Sequence, residues 1–140
     1  MPHPTPSLPL ICWYGLQALF FLFAAHSVCD YALQGDFMAR VKDQRSGSGI
    51  PWAWPLTSHA AIQALGVFLV TSSPVFAAFE LAAHWVIDYN KSAGRYGFGI
   101  DQSLHVACKV LIVVVWFYCS LHHVWPYNGH TYTTGTLSGW

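Results

Sequence analysis

The chain has 140 residues, of which 54% are apolar, 16% aromatic and only 9% charged, and its mean hydropathy is positive. A soluble domain keeps about a quarter of its residues charged so that its surface stays wet, and this chain lacks that surface. Six Lys and Arg set against six Asp and Glu give no clustered positive field for a nucleic acid. The expected class is therefore all-α, a single integral membrane domain over residues 1–140 with the lipid bilayer as its main partner.

The opening MPHPTPSLP has no basic n-region and no AxA-like site follows it, so the first apolar segment is expected to be retained rather than cleaved. That segment predicts a helix over about residues 8–33, long enough at about 1.5 Å per residue to cross a hydrocarbon core. The polar stretch QGDFMARVKDQRSGSGIP then reads as a loop, with the KDQR run at residues 42–45 solvated. WAW beyond it suits a membrane interface.

A second helix is expected over residues 56–71, with Thr57 or Ser58 as its N-cap. TSSP follows, and because Pro74 disfavours helical geometry in the residue before it, this reads as a tight turn. A third helix over residues 75–91, the glycine-rich link SAGRYGFG, and a fourth helix over residues 101–125 capped by Asp101 complete a four-helix bundle. PYNGHTYTTGTLSGW, residues 126–140, is a polar, uncharged tail. Cys12, Cys29, Cys108 and Cys119 stand singly in apolar stretches without CxxC spacing, and read as small buried hydrophobes.

Arg40, Lys42 and Arg45 fall in the first interhelical loop, and Lys91 and Arg95 near the third. By the positive-inside rule those loops face the cytoplasm and both termini face out, as in a multi-pass protein of the inner membrane.

With helices alternating in direction, His26 and Asp30, His59 and Gln63, His84 and Asp88, and Asp101 and His105 all come to the cytoplasmic level. Each pair has i, i+4 spacing and so shares one helical face. Ionisable groups inside a membrane turn toward the interior or a wet cavity, so the four pairs are expected to converge. Glu80 and Lys109 continue two of these faces one turn deeper, Lys91 lies within reach of a carboxylate, and Gln102 adds an amide beside Asp101.

Imidazole and carboxylate groups at this spacing suit Zn²⁺, Mn²⁺ or Fe²⁺, with room for one or two ions, and bundle interiors commonly build such sites. Two other readings stay open: a structural hydrogen-bond network, and a proton or ion pathway. The pathway needs polar groups in the outer half, where only His122 and His123 stand, and these read as interface residues. Tyr31, Trp85 and Tyr89 read as packing or interfacial aromatics.

The segments HSVCDYALQGDFMARVK, HAAIQALGV, HWVIDYNK and DQSLHVACK resemble, in order and spacing, the small membrane proteins of bacteria and phages grouped as domain of unknown function family 3307. The resemblance covers about residues 20–112 and leaves PHPTPSLP and the chain after about Val124 without a counterpart. It implies a helical membrane protein whose polar pattern is similar to that of membrane-bound metal-dependent hydrolases. Carried over by position, it implies roles for Gln34 and Lys42 in addition to His26, Asp30, His59, His84, Asp88, Lys91, Asp101, Gln102 and His105.

The functional expectation is a divalent-metal site with His26, Asp30, His84, Asp88, Asp101 and His105 as ligands. His59 serves as a further imidazole ligand or general base, and Lys91 stabilises developing negative charge. Gln34, Lys42, Gln63, Glu80, Gln102 and Lys109 support the site. The expected reaction is metal-dependent hydrolysis of a small phosphate ester or lipid-like substrate. The alternative is a non-enzymatic phage or bacterial membrane interaction protein whose polar network only fixes helix packing. Homo-oligomer formation is left open.

Overall fold

The first apolar segment carries no Asp, Glu, Lys or Arg over 20 residues and forms helix α1, Leu8–Ser27, in the computed structural model, which describes residues 8–122. The helix then widens into a π-helical turn, Val28–Ala32, in which Leu33 N–H donates to Val28 O at 3.0 Å. Asp30 sits in that turn. Single π-turns of this kind re-aim the side chains they carry and recur at functional sites.

Gly35, at φ 51°, breaks the chain away from the π-turn; a side chain there would be strained by the backbone alone. A short helix α2, Gly35–Val41, follows where the sequence reads as loop, with Val41 buried beneath it. Helix α3, Ala53–Thr71, begins before the expected Thr57 or Ser58 cap. Thr57 Oγ1 instead accepts a hydrogen bond from Trp85 Nε1 at 3.2 Å.

The TSSP turn works through two caps. Ser72 takes the left-handed conformation and donates its N–H to Phe68 O at 2.7 Å, while Ser73 Oγ accepts from Phe76 N–H at 3.4 Å. Pro74, whose missing N–H costs nothing in the first turn, then opens helix α4, Pro74–Ser92. Helix α5 spans Phe98–His122, so Asp101 lies inside its first turn rather than capping it. The side chain of His122, all of His123 and the tail at residues 126–140 lie outside the described residues.

All the described residues are helical or irregular, with no strand among them. Each long helix packs on two others: α3 on α1 and α4, α5 on α1 and α4. One end of the enclosed space is apolar, formed by Leu22, Val67, Phe76 and Ile112 with Val70, Val113 and Trp116 against them. The other end is polar. The outward faces are greasy, with Phe20 66% and Leu69 71% exposed. Cys29 alone of the four cysteines is buried, and Cys12 is exposed, contrary to the expectation for that set.

Three helical segments, Cys12–Ala32, Ala53–Thr71 and Phe98–Cys119, are long and apolar enough to cross a membrane. Helix α4 equals α3 in length at 19 residues. It falls outside that group because Glu80, Asp88 and Lys91 interrupt it.

Helices α1 and α3 meet closely at Gly66, where an added Cβ would lie 3.2 Å from Ala25 Cβ. Gly66→Leu is expected to force the pair apart and cost about 1–3 kcal/mol by overpacking. Gly66→Ala should change little, since about 1 kcal/mol of helix propensity offsets a small displacement. Unfolding of the detergent-solubilised variants, followed by circular dichroism, checks the order.

Candidate functional site

The polar end is built from the four spaced pairs. His26, His59, Gln63, His84, Asp88, Asp101 and His105 are all buried, and Asp30 nearly so. His59 Nε2 lies 3.2 Å from Asp30 Oδ1 and 3.6 Å from Asp88 Oδ2. His84 Nε2 faces the same two carboxylates at 3.9 and 3.7 Å. His105 Nε2 lies 3.3 Å from Asp88 Oδ1 and 3.7 Å from Asp101 Oδ1. His26 Nε2 is 3.5 Å from Asp30 Oδ2, and its Nδ1 is 3.3 Å from Gln63 Oε1.

The imidazoles are neighbours as well: the His84 and His105 ring centres are 4.1 Å apart, and His26 and His105 4.9 Å. Their spacing to the carboxylates is close, yet the Nε2 atoms of His26, His59, His84 and His105 have no partner in hydrogen-bonding geometry, and neither has Asp101 Oδ1. Buried polar atoms are almost always satisfied. Such buried nitrogens and oxygens, gathered in one volume, could hold a metal ion.

Lysines frame this volume. Lys42 Nζ donates to Asp88 Oδ2 and to Gln34 Oε1, both at 2.5 Å. Lys91 Nζ donates to Asp101 Oδ2 at 2.7 Å, and Gln102 Nε2 adds a bond to the same oxygen at 3.1 Å. One turn deeper, Lys109 Nζ pairs with Glu80 Oε1 at 2.5 Å, and Glu80 Oε1 is also 3.3 Å from His84 Nδ1. Gln63 Nε2 donates to Asp30 Oδ1 at 2.5 Å.

Spacing along helices anticipates most of these positions but not all. The KDQR run is not simply solvated: Lys42 enters the site, and Gln44 Nε2 donates to Tyr89 O at 3.4 Å, leaving Asp43 and Arg45 as the surface pair. Lys42 reaches inward because α2 folds back beside α3, and helical periodicity gives no signal for that. Tyr31 is more than a packing aromatic, since its hydroxyl donates to Gln102 Oε1 at 3.4 Å, joining the π-turn to α5. Trp85 and Tyr89 stack at 5.3 Å with Trp52 beside them, an aromatic group at the same end as the site.

Electrostatics at the mouth follow from the acids. Partial burial first, then the carboxylates of Asp101 and Asp88, push the Tyr96 phenol above its ordinary range. It stays protonated and donates to Ile87 O at 2.6 Å.

The family model of proteins of unknown function DUF3307 matches residues 18–132. The chain belongs to this family. The match takes in every residue of the polar site in this DUF3307 protein and extends past Val124, so the first part of the tail does have a counterpart. No curated protein and no solved structure matches the chain.

Proposed function

We propose that this DUF3307 protein is an integral membrane four-helix bundle that holds a divalent metal, Zn²⁺, Mn²⁺ or Fe²⁺, at its cytoplasmic end and hydrolyses a phosphate ester or lipid-like substrate there. One observation carries the metal reading: four buried imidazoles turn unpartnered Nε2 atoms toward the oxygens of Asp30, Asp88 and Asp101. Nitrogen and oxygen donors in such a set suit these ions.

Charge supports the same reading. With imidazoles neutral, the carboxylates of Asp30, Glu80, Asp88 and Asp101 exceed the ammonium groups of Lys42, Lys91 and Lys109 by one. A buried excess negative charge is costly; a divalent ion more than offsets it, leaving a positive charge that an anionic substrate would balance.

A bound divalent ion would polarise a phosphoryl oxygen and lower the pKa of water. The chain's own groups supply the rest. Lys91, with 39% of its side chain exposed, stands at the mouth where it can meet an anionic substrate. His59 groups with Asp30 and His84 within ligand distance of one another, which favours it as a ligand over a general base. Exposed Tyr31, Phe98 and Ile100 near this end suit a substrate with an apolar part.

The membrane reading rests on three apolar spans and on polar groups turned inward. Helix α4 would be the fourth span, its charges shielded by its neighbours. Orientation rests on fewer charges than the sequence suggests, because Lys42 and Lys91 are engaged in the site; Arg40, Arg45 and Arg95 carry the cytoplasmic assignment. A conducting pathway is disfavoured by the apolar plug of Leu22, Val67 and Ile112, each no more than 1% exposed.

Elemental analysis of the detergent-purified protein after reconstitution should find about one equivalent of metal or more. Hydrolysis of p-nitrophenyl phosphate or phosphatidate should stop on chelation and return with metal. Less than about a tenth of an equivalent sinks the metal reading; bound metal without hydrolysis removes only the enzymatic part.

A second reading, a membrane interaction protein with a structural network, draws on a specific feature: Asp88, Asp101 and Glu80 each have an ammonium partner already. It predicts that chelators leave stability unchanged.

A further inference from the structure

The donor atoms are not one undivided cluster. They fall into three groupings, of which two share no residue: Asp30 with His59 and His84, and Asp88 and Asp101 with His105, each with ligand atoms within 4.8 Å of one another. In the second group the lysines make the division. Lys42 and Lys91 take the Oδ2 atoms of Asp88 and Asp101, and it is the opposite oxygen of each, Oδ1, that faces His105 Nε2.

Asp88 also touches the first group. Its Oδ2 lies 3.6 Å from His59 Nε2 and 3.7 Å from His84 Nε2, while its Oδ1 serves His105. One carboxylate thus presents an oxygen to each group, as a bridge between two cations does. We infer that the site holds two divalent cations, one on Asp30, His59 and His84 and one on Asp88, Asp101 and His105, with Asp88 bridging them. The inference rests on the metal reading above and extends it from one ion to a pair.

A pair fits the proposed chemistry, because two ions clamp both the attacking and leaving oxygens of a phosphoryl displacement. It leaves His26 outside both groups. His26 joins His84 and His105 in a third grouping that borrows one imidazole from each of the others. That grouping is the alternative, a single central ion held by three histidines, and it excludes the pair.

The test uses the full chain in detergent, stripped of metal and titrated with Mn²⁺, with bound metal measured by elemental analysis and spin coupling by electron paramagnetic resonance. The pair predicts about two equivalents and an exchange-coupled signal. Asp30→Asn and Asp101→Asn should each retain about one equivalent and lose the coupling. A single equivalent with an uncoupled signal, unchanged in both variants, overturns the pair in favour of the three-histidine site while leaving the metal reading intact. No bound metal overturns both. The wild-type measurements decide even where a variant fails to fold.

Discussion

Glu80→Ala is expected to destabilise the protein by about 3–5 kcal/mol, because it strands a buried ammonium. Lys109 is 1% exposed and its Nζ lies 2.5 Å from Glu80 Oε1, inside the helix packing and away from the mouth. The replacement leaves that charge with no aqueous alternative. Glu80→Met combined with Lys109→Met should recover most of the loss, since removing both charges lifts both desolvation penalties. Unfolding of the detergent-solubilised proteins by heat or by sodium dodecyl sulfate measures this cycle. A Glu80→Ala protein within about 1 kcal/mol of wild type would show that Lys109 finds another partner.

The double variant separates packing from positioning. Glu80 Oε1 also stands 3.3 Å from His84 Nδ1, on the side opposite the Nε2 that faces the site. Carboxylates behind ligating imidazoles fix ring orientation, and their loss typically costs about 10–100-fold in metal affinity. Stability should therefore return in the double variant while metal affinity stays low. If both return together, Glu80 serves the fold alone.

Much of the site is legible in the sequence because two simple periodicities suffice. The i, i+4 spacing of His26 with Asp30, His59 with Gln63, His84 with Asp88, and Asp101 with His105 sets a common face on each helix. Alternating helix direction sets a common level, and the four pairs do meet. Glu80 and Lys109 are legible in the same way, as continuations of two faces.

What the periodicities do not reveal depends on irregular backbone. The π-turn at Val28–Ala32 shifts Asp30 relative to an ideal helix, and nothing in VCDYA distinguishes it from α-helix. The reversal at Gly35 and the short α2 carry Lys42 from an apparent surface run onto Asp88. That contact follows from tertiary packing, and only the family resemblance gave Lys42 and Gln34 a role. Helix limits shift for a related reason: Ala53 and Phe98 extend α3 and α5 outward without a side-chain cap, where a search for Ser, Thr or Asp stops too late.

Lys42→Met is the substitution that best divides the metal reading from a purely structural network, because the two give opposite signs. In a network, Lys42 balances Asp88 through a 2.5 Å ion pair with both side chains mostly buried. Its removal leaves a carboxylate unpaired and destabilises the protein whatever the medium contains. In a metal site, Lys42 also repels the incoming cation and competes with it for Asp88 Oδ2, the oxygen that faces His59 and His84. Two unit charges about 4 Å apart interact by about 4 kcal/mol at an effective dielectric near 20. Partial exposure of Lys42 lowers that, but a tightening of metal affinity of about tenfold or more remains, equal to about 1.4 kcal/mol. The expected result is a Lys42→Met protein less stable than wild type without metal, brought back toward it by Zn²⁺ or Mn²⁺, and binding either ion more tightly in calorimetry. Weaker metal binding in this variant, or instability that added metal leaves untouched, would mean that Asp88 is held for packing and not for an ion.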